Sequence, residues 1–288
     1  MPDQFDRMRV GEPNPDAVIW RYLTFPKFVS LLTTRALWFS KLSILNDTLE
    51  GTMPERVRES VRRGYREMEE WFPDARRTQQ VRQFVERNEE SGRELLVASC
   101  WHAGTLELRR LWVEYVGGNE GVAIRSTPRD LANSLAVAHN KWWIGNVEYV
   151  GFERFDGMSA YQAHQAHLRA FLKDERFSHE SELRIATMNL VSPGCLNPDG
   201  SPPTESQRSG LVYSTDRAGI LVQSRLPLLI KEVRTAPGAS KWHCNLIALL
   251  VTQAELRCPI SRSTIRECDS GSPRGREQYP PAASKESH

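Results

Sequence analysis

The sequence lacks a long hydrophobic run. Its longest uninterrupted apolar stretch, residues 246–251, is far shorter than the roughly 20 residues that a membrane-spanning helix requires. Residues 1–16 also lack the apolar segment of a secretory signal peptide. We therefore expect a cytoplasmic protein with no membrane partner.

Cysteine is scarce and irregularly placed. The five cysteines are odd in number, and none of their spacings matches the paired spacings of zinc ribbons or redox motifs. They are Cys100, Cys195, Cys244, Cys258 and Cys268. We expect all of them to be reduced thiols.

The chain has no excess of charge of one sign. Its 38 lysines and arginines nearly balance its 36 aspartates and glutamates, which gives a formal net charge of +2. No global electrostatic field therefore requires nucleic acid or anionic lipid as a partner, and any basic patch is local.

The chain has enough hydrophobic residues to form a core. The chain has 288 residues, and 40% of them are hydrophobic, which is enough for one large domain. Both ends are polar and rich in glycine or proline, so we expect a flexible N-terminus over residues 1–16 and a disordered tail over 267–288. The sequence predicts a single α+β domain over residues 17–266, with a long surface loop over 192–210.

Strand and helix patterns follow one another without strict alternation. This order favours an α+β fold, with a mixed or antiparallel central sheet flanked by helices, over a doubly wound sheet. Helices are predicted from residue 25, twice within 54–93 with a break at Pro73, and over 108–116, 161–174 and 241–256. Strands are predicted over residues 17–24, 37–40, 95–101, 121–124, 146–150, 181–190, 211–213 and 220–223.

The segment that carries Glu180, Glu182 and Arg184 has an unusual charge pattern. Side chains alternate across a strand, so these three share one face, while Leu183 and Ile185 share the apolar face. Two close carboxylates repel each other unless a cation, a metal or a chemical task offsets the repulsion. The ordinary interpretation is that Glu182 and Arg184 form an ion pair in a ladder of charges on the sheet surface. A functional site would require a second cluster of polar residues from another part of the chain.

A candidate second cluster lies in residues 20–51. Its motifs are Trp20-Arg21-Tyr22, a Leu-Trp-Phe-Ser strand that ends at Ser40, and Asn46-Asp47-x-x-Glu50-Gly51. Later motifs include Ser-Cys-Trp at 99–101, Leu-Trp-Val-Glu-Tyr at 111–115 and Glu-x-Glu-x-Arg at 180–184. In this order, from about residue 16 to 266, the chain resembles the bacterial domain of unknown function 2971 family, a resemblance that implies little about activity.

The chain also resembles the ADP-ribosyltransferase fold, in which an early strand offers Arg or His and a late strand presents Glu, often as Glu-x-Glu. Arg21 matches the first element and Glu180-Ser181-Glu182 the last, while Ser99 or residues 126–127 would supply the middle element. The resemblance implies NAD as a co-substrate without a tightly bound cofactor, a protein or nucleic-acid acceptor, and a setting in bacterial defence or toxin action.

Roles for individual residues follow from that resemblance. Glu182 would stabilise positive charge on the ribose, Glu180 would deprotonate the acceptor, and Arg21 would pair with the pyrophosphate. Trp101, Tyr22 or Trp112 would stack on a base or on nicotinamide. The implied binding residues are Arg21, Tyr22, Ser40, Asn46, Asp47, Glu50, Trp101, Trp112, Tyr115 and Arg184.

Two other functions stay open. Asp47, Glu50, Glu180 and Glu182 can gather a divalent cation for phosphodiester cleavage, which would make the protein a metal-dependent nuclease. Alternatively, the Arg-rich segment 56–93 binds nucleic acid or a protein partner without catalysis, although its interspersed glutamates favour a solvated helical face.

Each motif also has an architectural interpretation. Arg21 can simply neutralise Asp47 or Glu182, tryptophans are more often core than ligand platform, and the turn at Asn46 and Asp47 can be a structural corner. His164 and His167 lie one helical turn apart, but without a third placed ligand they are a weak signal for a metal.

Overall fold

The computed structural model describes residues 13–71, 83, 92–135, 142–188, 211–212 and 218–265. The tail, the predicted loop 192–210, most of the flexible N-terminus and most of the second charged helix lie outside these residues, as do Cys195 and Cys268. No helix in the described ranges is long and apolar enough to cross a membrane.

Strands and helices are mixed along the described chain. The helices are α1 (Phe25–Thr34), α2 (Glu55–Trp71), α3 (Arg109–Tyr115), α4 (Pro128–Ser134), α5 (Ala160–Ala163), α6 (Ala166–Arg169), α7 (Leu226–Leu229) and α8 (Lys241–Gln253). 3₁₀ helices span Leu42–Ile44 and Glu175–Glu180. The strands are β1 (Ile19–Thr24), β2 (Ala36–Lys41), β3 (Leu96–Ala103), β4 (Gly121–Ser126), β5 (Trp143–Asn146), β6 (Glu148–Val150), β7 (Leu172–Asp174), β8 (Glu182–Met188), β9 (Leu211–Val212), β10 (Gly219–Gln223), β11 (Glu232–Thr235) and β12 (Ile260–Arg262).

Local sequence explains the first strand, helix and strand. Pro26 lies in the first turn of α1, where its missing N–H costs nothing. Phe28, Leu31 and Leu32 recur at helical spacing and are buried. Arg35 ends the helix in the left-handed conformation, and β2 begins at the next residue. The predicted order of strand, helix and strand is confirmed here.

A large mixed sheet forms the centre of the fold. Its strand order is β12-β11-β4-β1-β3-β2-β10-β9, and β8 joins it by pairing with β3 and β5. The β11–β12 pair is parallel, whereas the other pairs in this sheet are antiparallel. Helices flank the sheet, so the predicted single α+β domain with a mixed sheet is confirmed.

The sheet forks at β3. On one side of β3, β1 pairs only at Trp20↔His102 and the preceding residue pair, while β2 pairs only at Ser40↔Ala98 and the following pair. On the other side, β8 pairs with β3 from Leu96 to His102. Because β1 and β2 hold opposite ends of β3 and diverge between them, an opening remains beside the middle of β3.

Three stretches differ from the sequence prediction. The predicted helix 161–174 is wrong, because only two single-turn helices form before the chain extends into β7, which pairs in parallel with β6. The predicted strand 146–150 is two strands, β5 and β6, in different sheets. The predicted strand 181–190 begins later, since Ser181 has a positive φ of 43° and Glu180 ends a 3₁₀ turn.

The main core lies on one face of the sheet. It includes the apolar residues of β1, β3 and β8 and the inner faces of α1 and α8, with Leu183 and Ile185 fully buried. The predicted apolar face of the acidic strand is therefore confirmed. The opposite face of β8 packs a small cluster around Phe171 and Ala186, and it is this face that carries Glu182 and Arg184.

Candidate active site

A cleft of about 580 Å³ occupies the fork in the sheet. β1, β2 and β3 form its walls, α1 and α3 flank it, and the segment that enters β8 adds two carboxylates. The cleft is open to solvent on the side of α1, where Lys27 and Ser30 are exposed. Seven of the residues predicted from sequence line it: Arg21, Tyr22, Ser40, Trp101, Tyr115, Glu180 and Glu182.

Arg21 bridges the two arms of the fork. One terminal nitrogen of its guanidinium donates a hydrogen bond to Oγ of Ser99 on β3, and the other donates to the carbonyl oxygen of Trp38 on β2 at 3.0 Å. Its guanidinium also lies 5.8 Å from the ring centroid of Trp101. Burial lowers the pKa of Arg21 to about 10, so the group is still a cation at neutral pH.

A buried ammonium group joins three carboxylates beneath the cleft. Nζ of Lys173 lies 2.5 Å from Oε2 of Glu180, 3.1 Å from Oε2 of Glu182 and 3.3 Å from Oε1 of Glu50. All four side chains are nearly inaccessible to solvent. The repulsion between the two neighbouring glutamates is therefore offset by a cation from a strand, β7, that the sequence did not predict.

Arg184 completes this cluster. Its Nε donates to Oε1 of Glu182 at 2.5 Å and its Nη2 donates to Oε2 at 3.0 Å, which is a two-point pair. The same Nη2 lies 2.6 Å from Oε2 of Glu50, and Nη1 donates to the carbonyl oxygen of Ala170 at 2.8 Å. Arg184 is fully buried behind Glu182, so it orients that carboxylate and does not line the cleft.

The two cleft carboxylates have opposite pKa shifts. Burial raises the pKa of Glu182, but the charges of Arg184 and Lys173 outweigh burial and lower the pKa to about 2. For Glu180, burial is the largest effect and the pKa is raised, although Lys173 opposes the shift. Glu182 therefore stays ionised at neutral pH, whereas Glu180 binds a proton more readily than an ordinary glutamate.

Other polar groups surround these carboxylates. Tyr115 forms a hydrogen bond with Glu180, and burial followed by the Glu180 charge raises the pKa of Tyr115. Nδ1 of His102 lies 2.7 Å from the backbone oxygen of Glu180, so this nitrogen carries the proton. The Cys100 thiol lines the cleft, forms a hydrogen bond with Glu182 and has a pKa raised first by burial.

The turn at residues 46–51 serves mainly to build the site. Asp47 is buried and accepts hydrogen bonds from the backbone N–H groups of Leu49 at 2.9 Å and Asp174 at 3.1 Å. This turn aims Glu50 at Lys173 and Arg184. Asn46 is exposed. None of Asn46, Asp47 and Glu50 is among the residues that line the cleft.

Trp112 also lies behind the cleft wall. Its ring meets Tyr22 edge to face at a centroid distance of 5.1 Å, and its Nε1 donates to Oε2 of Glu107 at 2.9 Å. Trp112 therefore supports Tyr22 from the core. The tryptophans that do line the cleft are Trp20, Trp38 and Trp101.

Two cations already lie among the three carboxylates of the acidic cluster. Lys173 and Arg184 lie between Glu50, Glu180 and Glu182, in the place that a divalent cation for phosphodiester cleavage would take. Asp47 is separately committed to backbone N–H groups. This arrangement opposes the metal-dependent nuclease hypothesis on electrostatic grounds.

The His164 and His167 pair does not converge on a shared ligand. His164 bonds the Tyr65 hydroxyl at 2.9 Å, and His167 stacks on Trp143 at 4.6 Å. Within the described ranges, the group with metal-ligand spacing is Glu114, His179 and Glu180, whose ligand atoms lie within 4.8 Å of one another.

Sequence reasoning missed Lys173, Cys100 and His102 as site residues. Lys173 was assigned to the end of a helix, although a lysine between the apolar Phe171 and Leu172 and the acidic Asp174 fits a buried strand with a charged partner. Cys100 and His102 flank Trp101. Cys100 lies on the part of β3 that pairs with neither β1 nor β2, and His102 lies where the pairing with β1 ends, so both positions depend on the fork, which no local pattern indicates.

Comparison with known proteins gives few matches. No family model matches the chain, so membership of the domain of unknown function 2971 family is not supported. No curated protein matches it either. Among solved structures, the chain is similar to Thermus sp. 2.9 DarT in complex with carba-NAD+, with 11% identity, a TM-score of 0.34 and coverage of 87% of this chain and 96% of that chain. It is similar to the same protein in complex with ADP-ribosylated ssDNA, with 11% identity, a TM-score of 0.34 and coverage of 89% and 97%. These values are too low to carry an inference about function.

Proposed function

We propose that the protein transfers ADP-ribose from NAD to an acceptor. One observation carries the proposal: the forked sheet brings Arg21 of β1 and the Glu180-Ser181-Glu182 segment to the same cleft. These are the two elements by which the sequence resembles the ADP-ribosyltransferase fold. They are separated by about 160 positions in the chain and come together only through the tertiary structure.

The cleft has the size and lining of a nucleotide site. Its volume of about 580 Å³ falls within the roughly 300–1,000 Å³ that is common for sites of small ligands. Three tryptophans and two tyrosines offer flat apolar surfaces to aromatic rings such as nicotinamide and adenine. Two cations, Arg21 and Lys27, and two carboxylates supply the polar groups that fix a ligand's orientation.

The first chemical step is cleavage of the bond between the ribose and nicotinamide. The electron pair of that bond leaves with nicotinamide, which becomes neutral, and positive charge develops on the ribose. Glu182 is suited to stabilise this charge because its low pKa keeps it ionised. Its hydrogen bond from Cys100 is weak, so a ribose hydroxyl can replace the thiol as donor.

The second step is attack by the acceptor. A lone pair of the acceptor forms the new bond to the ribose carbon, and the acceptor's proton passes to Glu180. The raised pKa of Glu180 makes its carboxylate a stronger base than that of an ordinary glutamate, which suits a group that accepts a proton. Tyr115 and Lys173 hold this carboxylate in place, and solvent receives the proton afterwards.

Arg21 contributes by position and charge. Because its terminal nitrogens each donate one bond within the protein, the guanidinium is fixed at the back of the cleft. Its remaining N–H groups and its charge attract the ligand's anionic portion.

The experiment measures nicotinamide release and transfer of label from adenine-labelled NAD. We expect Glu182→Gln to lower the rate by roughly 10²–10³-fold, since it removes the carboxylate that faces the developing charge. Glu232→Gln is the matched control, because Glu232 also begins a strand and pairs with an arginine two residues later, yet it does not line the cleft. Equal rates for wild type and Glu182→Gln would exclude Glu182 from catalysis, and absence of NAD turnover with every tested acceptor, water included, would overturn the proposed activity.

A further inference from the structure

Charge is distributed unevenly along the cleft. Glu182 lies next to β3, at the base of the fork, and Glu180 lies beside it. Helix α1 joins the ends of β1 and β2 that lie away from β3, and it contributes Lys27 and Ser30 to the lining. Lys27 and Ser30 lie three positions apart on the helix, so their side chains project from neighbouring positions on one face. The acidic end repels phosphate groups, so an anionic part of any ligand is favoured at the α1 end.

Lys27 is the more accessible of the two cations, Arg21 and Lys27, that line the cleft. It is exposed, and the structure gives it no carboxylate partner among the described residues, in contrast to Lys41, which pairs with Glu94 at 3.0 Å. Arg21, the other strong cation of the lining, already donates to Ser99 and Trp38.

We propose that Lys27 and Ser30 form a subsite for the diphosphate of a nucleotide ligand. The ammonium of Lys27 pairs with the phosphate oxygens, and the Ser30 hydroxyl donates a hydrogen bond beside it. The inference rests on the proposed function for the identity of the ligand, NAD. It also fixes the ligand's direction: the nicotinamide ribose lies at Glu182, and the diphosphate lies towards α1.

The test is a binding titration that requires no turnover. Tryptophan fluorescence of the full chain reports ligand binding, because Trp20, Trp38 and Trp101 line the cleft. The probes are NAD, ADP, and nicotinamide riboside, which lacks phosphate. The variants are Lys27→Ala, Lys27→Arg and Ser30→Ala, with Lys231→Ala as the control, since Lys231 is a lysine outside the cleft lining that pairs with Asp130.

We expect Lys27→Ala to weaken binding of NAD and ADP about tenfold or more, because one charge-assisted hydrogen bond is lost. Lys27→Arg keeps the charge and should retain most of the affinity. Binding of nicotinamide riboside should be the same in wild type and Lys27→Ala. Because Lys27 is exposed, the difference for ADP should shrink as salt concentration rises.

The outcomes separate this subsite from the proposed reaction. If Lys27→Ala binds ADP and NAD as tightly as wild type while Glu182→Gln abolishes nicotinamide release, the subsite is wrong and the reaction stands. If ADP binding depends on Lys27 but NAD is never cleaved, the subsite stands and the reaction is wrong. A loss of affinity equally large for nicotinamide riboside would overturn the subsite, because it would reveal a general disturbance of the cleft.

Discussion

Two strands of the sheet begin with the pattern Glu-x-Arg, and the two copies differ in their burial and in their neighbours. Glu182-Leu183-Arg184 opens β8 and Glu232-Val233-Arg234 opens β11. In both, Nε of the arginine lies close to Oε1 of the glutamate, at 2.5 Å in β8 and 2.7 Å in β11. The first arginine side chain is fully buried, whereas the second is 20% exposed.

The surroundings of the two pairs explain the difference. Glu232 also meets Arg125 at 3.4 Å and the Ser261 hydroxyl at 2.9 Å, so the β11 pair is a satisfied ladder at the side of the sheet. Glu182 instead shares Lys173 with two further carboxylates and lines a cleft. An alternating Glu-x-Arg pattern therefore predicts an ion pair within a strand, but only the neighbouring elements decide whether that pair belongs to a site.

The largest difference in stability is expected between the variants that remove Arg184 and Arg234. Arg184→Met leaves Glu182 and Glu50 buried without their guanidinium, so we expect a loss of about 3–5 kcal/mol in the free energy of unfolding. Arg234→Met should cost less, roughly 1–2 kcal/mol, because Glu232 keeps Arg125 and the Ser261 hydroxyl as partners, although Arg234 also pairs with Glu107 at 3.2 Å. Denaturant unfolding of both variants measures the difference, and equal losses would show that the two pairs are equivalent.

The next-largest difference is expected in how low pH changes the stability that Glu182 and Glu232 each contribute. The pKa of Glu182 is about 2 in the folded protein, compared with an ordinary value of 4.5. A lowered folded pKa gives stability that is fully present above the ordinary value and is lost as pH falls through the folded value. The advantage of wild type over Glu182→Gln should therefore shrink by roughly 3 kcal/mol between about pH 5 and pH 2.

Glu50 and Glu180 have raised pKa values, which act in the opposite direction, and the charge of Glu182 contributes to both shifts. Glu182→Gln therefore also lowers these two pKa values, and their titration enters the difference between wild type and variant that is measured by unfolding at each pH. The same comparison with Glu232→Gln should give a smaller change. A gap between wild type and Glu182→Gln that stays constant with pH would contradict the assigned pKa.

The third comparison, with a smaller expected effect, concerns the second cation near each motif, which is Lys173 for β8 and Arg125 for β11. Lys173 lowers the pKa of Glu180, so Lys173→Met should raise it further. Under the proposed reaction, the acidic limb of the pH–rate profile should then move to higher pH. Arg125→Met, which removes the corresponding cation near Glu232, should leave the profile unchanged. A lower rate with an unshifted profile would reduce Lys173 to a purely structural role.

The smallest expected effect on stability concerns Ser181, the residue that precedes β8. Ser181, with φ 43° and ψ 58°, is one of three non-glycine residues with positive φ in the described ranges. Ser181→Val should cost about 1–2 kcal/mol because a branched side chain is strained in this conformation, while Ser181→Gly should stay within about 1 kcal/mol of wild type. Thermal unfolding of both variants is the measurement. Equal stabilities of Ser181→Val and Ser181→Gly would mean that β8 can begin without a left-handed residue at position 181.

Much of the fold follows from local patterns. The order of β1, α1 and β2, the α3 helix and the apolar face of β8 were all predictable from periodicity. Residues 161–174 were not, because their apolar residues fit a helix, while the actual structure depends on β7 pairing with β6 and on Asp47 bonding the backbone of Asp174. Such distant partners leave no trace in local spacing.

The sequence by itself determined that Glu182 and Arg184 share one face of β8, because the alternation of a strand is a local property. Glu180 precedes that strand in a 3₁₀ turn, so its place beside them was not fixed by alternation. Only the tertiary structure decided that Lys173 and Glu50 join them, and that Arg21 lies in the same opening. The physical reason is that pairing at β3 stops after two residues on each arm, which leaves a fork. Where strands diverge is fixed by the packing of the whole sheet.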